Sequence, residues 1–188
     1  MKVSTVDIPG LLVIQPQVFG DARGFFLETY NASRYREAGL GATFVQDNLS
    51  FSRQGILRGM HAQNPSPQGK LVSVLQGEVY DVAIDGRLGS PTFGKWYGIT
   101  LSADNKTQFY VPPGFFHGFC VTSETALFSY KCTDLYMPKN EVAMIWNDPD
   151  VGVKWPVSEP LLSAKDVQAP RLKDIPPERL LKFEDVGR

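Results

Sequence analysis

The chain has few of the residues from which metal centres and disulfide frameworks are built. Its 188 residues include only two histidines, His61 and His117, and two cysteines, Cys120 and Cys132. Two cysteines do not make a disulfide framework. Both lie in segments with strand character, so we expect buried free thiols.

Excess charge of one sign is also absent. Basic and acidic residues number 19 and 20, so no basic excess exists to bind nucleic acid or an anionic membrane surface. We expect neither partner. An anionic small molecule is still compatible with this composition, because a few clustered arginines can bind phosphate in a neutral protein.

Long hydrophobic runs are lacking as well. The opening stretch MKVSTVDIPGLLVIQP contains an apolar run from Leu11 to Ile14 only. Such a run is too short for a signal peptide and far too short for a membrane span. We therefore expect a cytoplasmic protein.

What the chain does contain is a series of short β-branched and aromatic runs separated by Gly, Pro, Asn and Asp, which is typical of a sandwich or barrel. KLVSVL and EVYDVAID flank a hairpin-like break, and the further strand candidates are KWYGITL, TQFYVP, GFFHGFCVT, TALFSYKCT and VAMIW. Helical signals are confined to NASRYREAG at 31–39 and PPERLLKF at 176–183. The sequence predicts an all-β fold with short peripheral helices. We expect a single domain over residues 1–188, whose C-terminal residues, from about 155 to 188, wrap the barrel.

Alternation along two of these strands places polar side chains among apolar neighbours. His117 shares a face with Phe115 and Phe119, and Tyr130 shares one with Phe128. A buried histidine or tyrosine needs a hydrogen-bonding partner. Each is therefore either a satisfied structural residue or part of a polar pocket.

The stretch ILRGMHAQ is less regular. Strict alternation puts Arg58 and His61 on opposite faces of a strand. Gly59 between them could mark a bulge that re-aims one of the two, but alternation alone does not decide this. Three interpretations of His61 are therefore open: a metal ligand, a buried structural histidine, or a base that works without metal.

The motif PPGFFHGF resembles the second sequence motif of the cupins, in which a Pro-Gly turn leads into a strand that carries one histidine. The first cupin motif normally supplies His-x-His and then a glutamate. Here the same positions read His61-Ala62-Gln63, and the next acidic residue is Glu78. Two neutral imidazoles without a third strong ligand make a poor site for zinc, iron or manganese. We expect a cupin-type β-jelly-roll barrel that holds no metal.

Taken as a whole, the chain resembles the dTDP-4-dehydrorhamnose 3,5-epimerases, which are metal-free cupins. The resemblance runs from about residue 8 to about residue 170. It is carried by the ordered blocks VFGDARGFFLETY, FVQDNLSFS, GILRGMHAQ, QGKLVSVLQGEVYDVAID, GSPTFGKW, VPPGFFHGF, YKCTDLYMP and WNDPDVGVKWP.

The resemblance implies an isomerase without cofactor that acts on a dTDP-linked 4-keto-6-deoxy sugar. Its product would be dTDP-4-dehydro-L-rhamnose, an intermediate in the biosynthesis of dTDP-L-rhamnose for cell-surface polysaccharide. The C3 and C5 protons of this sugar flank a ketone, so a base on one face of the ring and a proton donor on the other can invert both carbons. The alternatives are an epimerase of one carbon, a 3,5-epimerase of another nucleotide-linked 4-keto sugar, and a cupin that only binds such a sugar.

The resemblance also assigns roles to individual residues. His61 matches the base, Tyr130 the proton donor and Lys70 the lysine near the keto oxygen, while Asp166 matches the carboxylate that orients the base. Neutral histidine is a suitable base at pH 7, and tyrosine stays protonated there. The residues that match substrate-binding positions are Arg23, Phe26, Glu28, Gln46, Asn48, Arg58, His117, Tyr136, Glu141 and Lys165.

The resemblance further implies a homodimer, in which an N-terminal strand crosses to the partner barrel. We therefore expect Arg23 and Glu28 to serve the neighbouring site, and Tyr136 to stack on thymine. Ala62 replaces a common aromatic residue, the segment from residue 61 to residue 70 is one residue shorter than usual, and Ser73 replaces a common basic residue. We expect these departures to lie around the site mouth and to leave open which sugar is processed.

Overall fold

Two antiparallel sheets supply the framework of the protein. The structure is a computed structural model that describes residues 1–186. In spatial order, the first sheet contains β1 (Lys2–Thr5), β2 (Leu12–Gln15), β10 (Gln108–Val111), β7 (Lys70–Gln76), β12 (Thr125–Cys132) and β5 (Gln46–Arg53). The second contains β13 (Glu141–Ala143), β6 (Leu57–Gln63), β11 (Phe115–Val121), β8 (Glu78–Asp85) and β9 (Trp96–Ser102). The strand β3 (Val18–Asp21) pairs with β4 (Gly24–Leu27) in a separate hairpin.

The main core lies between the two sheets, because period-2 alternation turns one apolar face of each strand inward. Val72 and Phe128 come from the first sheet, and Leu101 and Phe119 come from the second. The rings of Phe119 and Phe128 stack with their centroids 4.0 Å apart, which joins the sheets directly. This architecture confirms the predicted cupin-type jelly roll.

A second core covers the outer face of the second sheet. Phe116 of β11 is buried there against Leu172, Ile175 and Leu180 from the C-terminal residues. The tail therefore packs on the barrel over the described part of its predicted range, while residues 187 and 188 lie outside the described residues.

Of the two predicted helices, only the first is confirmed. Helix α1 (Ala32–Glu37) begins after Asn31, whose side chain accepts hydrogen bonds from two backbone amides of the first turn. The helix ends before Gly39, which has φ +97°.

The predicted helix over 176–183 is wrong. That stretch contains only a 3₁₀ turn at Pro177–Arg179, and a second turn follows at Phe183–Asp185. Leu181 and Phe183 exchange backbone hydrogen bonds with Leu88 instead of continuing a helix. A segment this short gains too little from helix propagation to compete with that pairing.

Among residues 1–186, no helix has the length and the apolar character needed to cross a membrane.

Candidate active site

A cavity of about 680 Å³ lies between the sheets. β6 and β11 form one side and β7 and β12 the other. The polar side chains that line it are Ser50, Arg58, His61, Lys70, His117, Tyr130, Ser163, Lys165 and Asp166. A smaller cavity of about 240 Å³ shares three of these side chains as walls, namely His61, Lys70 and Tyr130. Polar groups from both sheets therefore converge on one space.

A β-bulge brings Arg58 and His61 into this cavity. His61 is opposite His117 in the neighbouring strand, but Arg58 is opposite Phe119, so two residues of β6 face a single residue of β11. The bulge contains Gly59, with φ +123°, a conformation that favours glycine. The predicted bulge is confirmed, and it reverses the parity that would separate the two side chains.

His61 is held by a carboxylate. Its Nε2 lies 2.6 Å from Oδ1 of Asp166, a buried residue of the short helix α2 (Ala164–Val167). Burial works to raise the pKa of Asp166, but the hydrogen bonds from His61 and Ser163 outweigh it, and the pKa is lowered. An ionised Asp166 fixes the hydrogen of His61 on Nε2, which leaves Nδ1 as the ring nitrogen that can accept a proton.

The second histidine has a carboxylate partner that the sequence analysis missed. Nε2 of His117 lies 2.9 Å from each oxygen of Asp81, which is fully buried in β8. An acidic residue in the buried strand EVYDVAID was the available signal, because a buried carboxylate needs a partner. The two histidines are therefore neighbours with separate carboxylates.

Tyr130 and Lys70 come from adjacent strands of the first sheet. Burial raises the pKa of Tyr130, so its hydroxyl keeps its proton at neutral pH. Burial lowers the pKa of the Lys70 ammonium. Within residues 1–186, the Lys70 ammonium makes no side-chain hydrogen bond or ion pair, so it can interact with a ligand oxygen.

Charged and aromatic side chains surround the smaller cavity. Lys165 donates to Oε1 of Glu141, and the hydroxyl of Tyr136 donates to Oε2 of the same residue at 2.9 Å. Burial opposes ionisation of Glu141, but the hydrogen bond from Lys165 and the nearby His61 lower its pKa. Gln46 and Asn48 complete the wall and are hydrogen-bonded to each other. The structure therefore groups these five predicted binding residues together.

Arg58 and His117 line the larger cavity instead, and the other three predicted binding residues lie outside both cavities. Arg23 and Phe26 are on the β3–β4 hairpin, where the Arg23 side chain is 89% exposed and Phe26 is 70% exposed. Glu28 follows the hairpin and accepts hydrogen bonds from Asn31 and Arg34. A single chain does not bring these three residues to the cavity.

The departures from the family pattern do not all lie at the site. Ala62 lines the smaller cavity. Ser73 instead lies in a recess of the outer surface, beside Phe25 and Phe26. Its expected position at the mouth is wrong, because alternation in β7 turns Ser73 outward when Lys70 and Val72 face inward.

Among the residues that the structure describes, no three His, Cys, Asp or Glu side chains form a group that could hold a metal ion. The two imidazoles are each paired with one carboxylate.

Comparison with known proteins identifies the family. The family model described as dTDP-4-dehydrorhamnose 3,5-epimerase matches residues 5–174. The chain belongs to this family. Among curated members, a dTDP-4-dehydrorhamnose 3,5-epimerase from Pseudomonas aeruginosa is 51% identical over 176 residues, which are 93% of this chain and 97% of that protein. One from Neisseria gonorrhoeae is 52% identical over 168 residues; the match covers 89% of this chain but only 51% of that longer protein.

Solved epimerase structures share the fold. An epimerase from Legionella pneumophila in complex with dTDP-4-keto-L-rhamnose superimposes with a TM-score of 0.94 at 50% identity, covering 97% of this chain and 98% of that one. A 3′-monoepimerase from Streptomyces bikiniensis, solved with dTDP as a double mutant in one histidine and one tyrosine, gives a TM-score of 0.88 at 33% identity. That match covers 96% of this chain and 92% of the other.

Proposed function

We propose that this epimerase-family chain inverts both C3 and C5 of dTDP-4-dehydro-6-deoxy-D-glucose and releases dTDP-4-dehydro-L-rhamnose. The supporting observation is a histidine and a tyrosine on facing sheets of one cavity. His61 lies in β6 of the second sheet and Tyr130 in β12 of the first. A sugar ring between the sheets meets a base on one face and an acid on the other, which inversion requires and simple binding does not.

The reaction begins at a carbon next to the C4 ketone. Nδ1 of His61 removes the proton from C5, and the electron pair of the broken C–H bond moves into the carbonyl to give an enolate. The hydroxyl of Tyr130 then donates its proton to C5 from the opposite face, and the ketone re-forms. The same pair of groups next acts at C3.

Each inversion leaves His61 with one proton more and Tyr130 with one proton fewer. Exchange with water restores both groups, and the His61 side chain is 25% exposed, so solvent reaches the base. The product has the same composition and oxidation state as the substrate. The chemistry therefore needs no redox cofactor.

Lys70 stabilises the enolate in this scheme. Its ammonium has no carboxylate partner within the described residues, so its charge is available to the oxygen at C4. A preplaced cation at a developing oxyanion is worth far more in a partly buried site than in water.

The remaining polar groups bind the nucleotide in our proposal. Arg58 offers a forked guanidinium that suits a diphosphate, and its Nε donates to the hydroxyl of Ser52 at 3.0 Å. Tyr136 is half exposed at the mouth and presents a ring face to thymine. The other nucleotide-binding groups are Gln46, Asn48, His117, Glu141 and Lys165.

We further propose a homodimer in which the β3–β4 hairpin completes the partner's site. The hairpin exposes Phe19, Phe25 and Phe26, and the edge strand β5 exposes Leu49 and Phe51. Exposed apolar side chains on a hairpin and an open sheet edge favour pairing with a second chain. The cytoplasmic location stays a prediction.

Subunit complementation tests the dimer. Arg23→Ala and His61→Ala should each be nearly inactive alone. Refolding them together should restore activity, because a mixed dimer contains one site with both native residues. Arg23→Ala at full activity, or a monomeric mass in analytical ultracentrifugation, would contradict the proposal.

Turnover of dTDP-4-dehydro-6-deoxy-D-glucose in heavy water tests the reaction. Deuterium at both C3 and C5, detected by NMR and mass spectrometry, is the expected result. His61→Ala and Tyr130→Phe should each reduce epimerisation by about 10²-fold or more. No label at either carbon, or full turnover by both variants, would sink the assignment.

A single-carbon epimerase is the second candidate. The solved 3′-monoepimerase shares this fold, so the fold does not fix how many carbons are inverted. Label at one carbon alone would establish this alternative.

A further inference from the structure

The carboxylate that holds His61 is itself held by a hydroxyl. Oγ of Ser163 donates to Oδ2 of Asp166 at 2.8 Å and accepts the backbone N–H of Asp166 at 3.2 Å. The other carboxylate oxygen, Oδ1, contacts Nε2 of His61. We propose that Ser163 is a positioning residue for the base, acting through Asp166 in a Ser163–Asp166–His61 relay; this rests on the proposed role of His61.

Ser163 is well placed to fix Asp166 because its own backbone is anchored to the barrel. Two residues earlier, Leu161 accepts from the backbone of Leu57 at 3.0 Å and donates to that of Gly55 at 2.8 Å. Leu57 is the first residue of β6, the strand that carries His61, and Gly55 lies two residues before it. The serine and the histidine are therefore tied to the same strand by backbone hydrogen bonds.

The local geometry assigns two separable tasks to the serine. As the N-cap of α2, Ser163 satisfies an amide of the first turn. As a donor, it satisfies the second oxygen of a carboxylate that is only 3% exposed. Without that donor, Asp166 would keep one buried oxygen with no partner, a condition that favours rotation of the side chain away from His61.

The hydroxyl also acts on proton affinity. Burial alone would raise the pKa of Asp166, and the hydrogen bonds from His61 and Ser163 lower it. The Lys165 ammonium lowers it further, and the Glu141 carboxylate interacts electrostatically with His61. Removing the hydroxyl while these groups remain makes the Asp166–His61 pair hold its proton more tightly. The acid limb of the kcat profile should then move to higher pH.

Substitutions separate the two tasks. Ser163→Thr keeps the hydroxyl and should stay within about twofold of the wild type in kcat, because threonine is also an accepted N-cap. Ser163→Gly removes the donor, yet glycine is tolerated at an N-cap. We expect kcat to fall about tenfold, the size expected for a lost hydrogen bond to a charged group, with KM within about twofold. Ser163→Ala is a second donor-free variant should the glycine variant fold poorly.

A matched control is Ser33→Ala in α1. Ser33 also donates to a carboxylate, that of Glu37 at 3.1 Å, but it lies outside both site cavities. This variant should leave kcat and the pH profile unchanged. Thermal unfolding of every variant shows whether a loss of activity is explained by a loss of stability.

The proposal is overturned if Ser163→Gly and Ser163→Ala keep the wild-type kcat and acid limb. It is also overturned if Ser163→Thr loses as much activity as Ser163→Gly, or if KM rises while kcat holds, which would make the serine a substrate contact. His61→Ala is assayed in parallel. If that variant retains turnover, the proposed function fails rather than the role of Ser163.

Discussion

Replacing Gly59 by alanine should damage both the stability of the fold and the site. An added Cβ would lie 2.6 Å from Cα of Gly118 and 2.8 Å from the carbonyl oxygen of His117. Both are backbone atoms of a central, fully buried strand, so neither can move aside as a flexible side chain would. Gly59 also has φ +123°, which L-residues rarely adopt.

The magnitude combines two costs. A non-glycine residue in such a conformation costs about 1–3 kcal/mol, and overpacking a close backbone contact adds about 1–3 kcal/mol. Alanine also lowers the conformational entropy of the unfolded chain, which offsets at most about 1 kcal/mol of this destabilisation. The net loss is therefore about 1–6 kcal/mol, against the roughly 5–15 kcal/mol that stabilises a typical domain.

Gly89→Ala is the matched control. Gly89 also has a positive φ, +86°, but an added Cβ there meets no atom within 4 Å. Urea unfolding followed by tryptophan fluorescence should give a lower midpoint for Gly59→Ala than for Gly89→Ala, with similar slopes. Activity should fall only in the first variant, because the bulge there places Arg58 and His61 in one cavity. Equal midpoints would refute the close-packing argument, and full activity of Gly59→Ala would refute the role of the bulge.

Three other substitutions test the site. Tyr130→Phe should still exchange deuterium at the carbon that His61 deprotonates but should form little inverted product, as NMR of the recovered substrate would show; inversion at the wild-type rate would exclude Tyr130 as the donor. Burial lowers the pKa of Lys70 and raises that of Tyr130, so the Lys70 ammonium should lose its proton first as pH rises. Lys70→Arg should therefore move the basic limb of the kcat profile to higher pH. A basic limb at the wild-type position would contradict this. Gln63→Ala should raise KM several-fold with little change in kcat, because it loosens the loop that carries Tyr136; a changed kcat with an unchanged KM would argue against that role.

Local pattern predicted the strands from β6 to β13, because each of these segments carries its own evidence, but it did not predict β1, β2, β3 or β5. KLVSVL and EVYDVAID form β7 and β8, and alternation correctly predicted that His117 and Tyr130 face the interior. The glycine that interrupts the strand pattern also indicated the bulge at Gly59. These features depend on neighbouring residues, so sequence alone can reveal them.

The partners of the histidines could not be predicted in this way. His61 and Asp166 are 105 positions apart, and His117 and Asp81 are 36 apart. Only the folded barrel brings them together, and no periodicity specifies which carboxylate reaches which ring. The role of Asp166 was expected from family resemblance alone, and Asp81 was missed. The wrong helix at 176–183 has the same origin, since pairing with distant Leu88 determined its backbone.

Gln63 stands at the position where other cupins have a second metal ligand. Its amide is fully engaged: Nε2 donates to the carbonyl oxygens of Ser66 and Leu135, and Oε1 accepts the N–H of Met137 at 2.8 Å. A histidine here could not make all three of these bonds, because an imidazole has only two nitrogens. The two loops that Gln63 joins border the mouth, and one carries Tyr136. The position of a metal ligand in other cupins thus holds a side chain that ties two loops at the cavity mouth, and His61 on the same strand keeps its proposed role as the base.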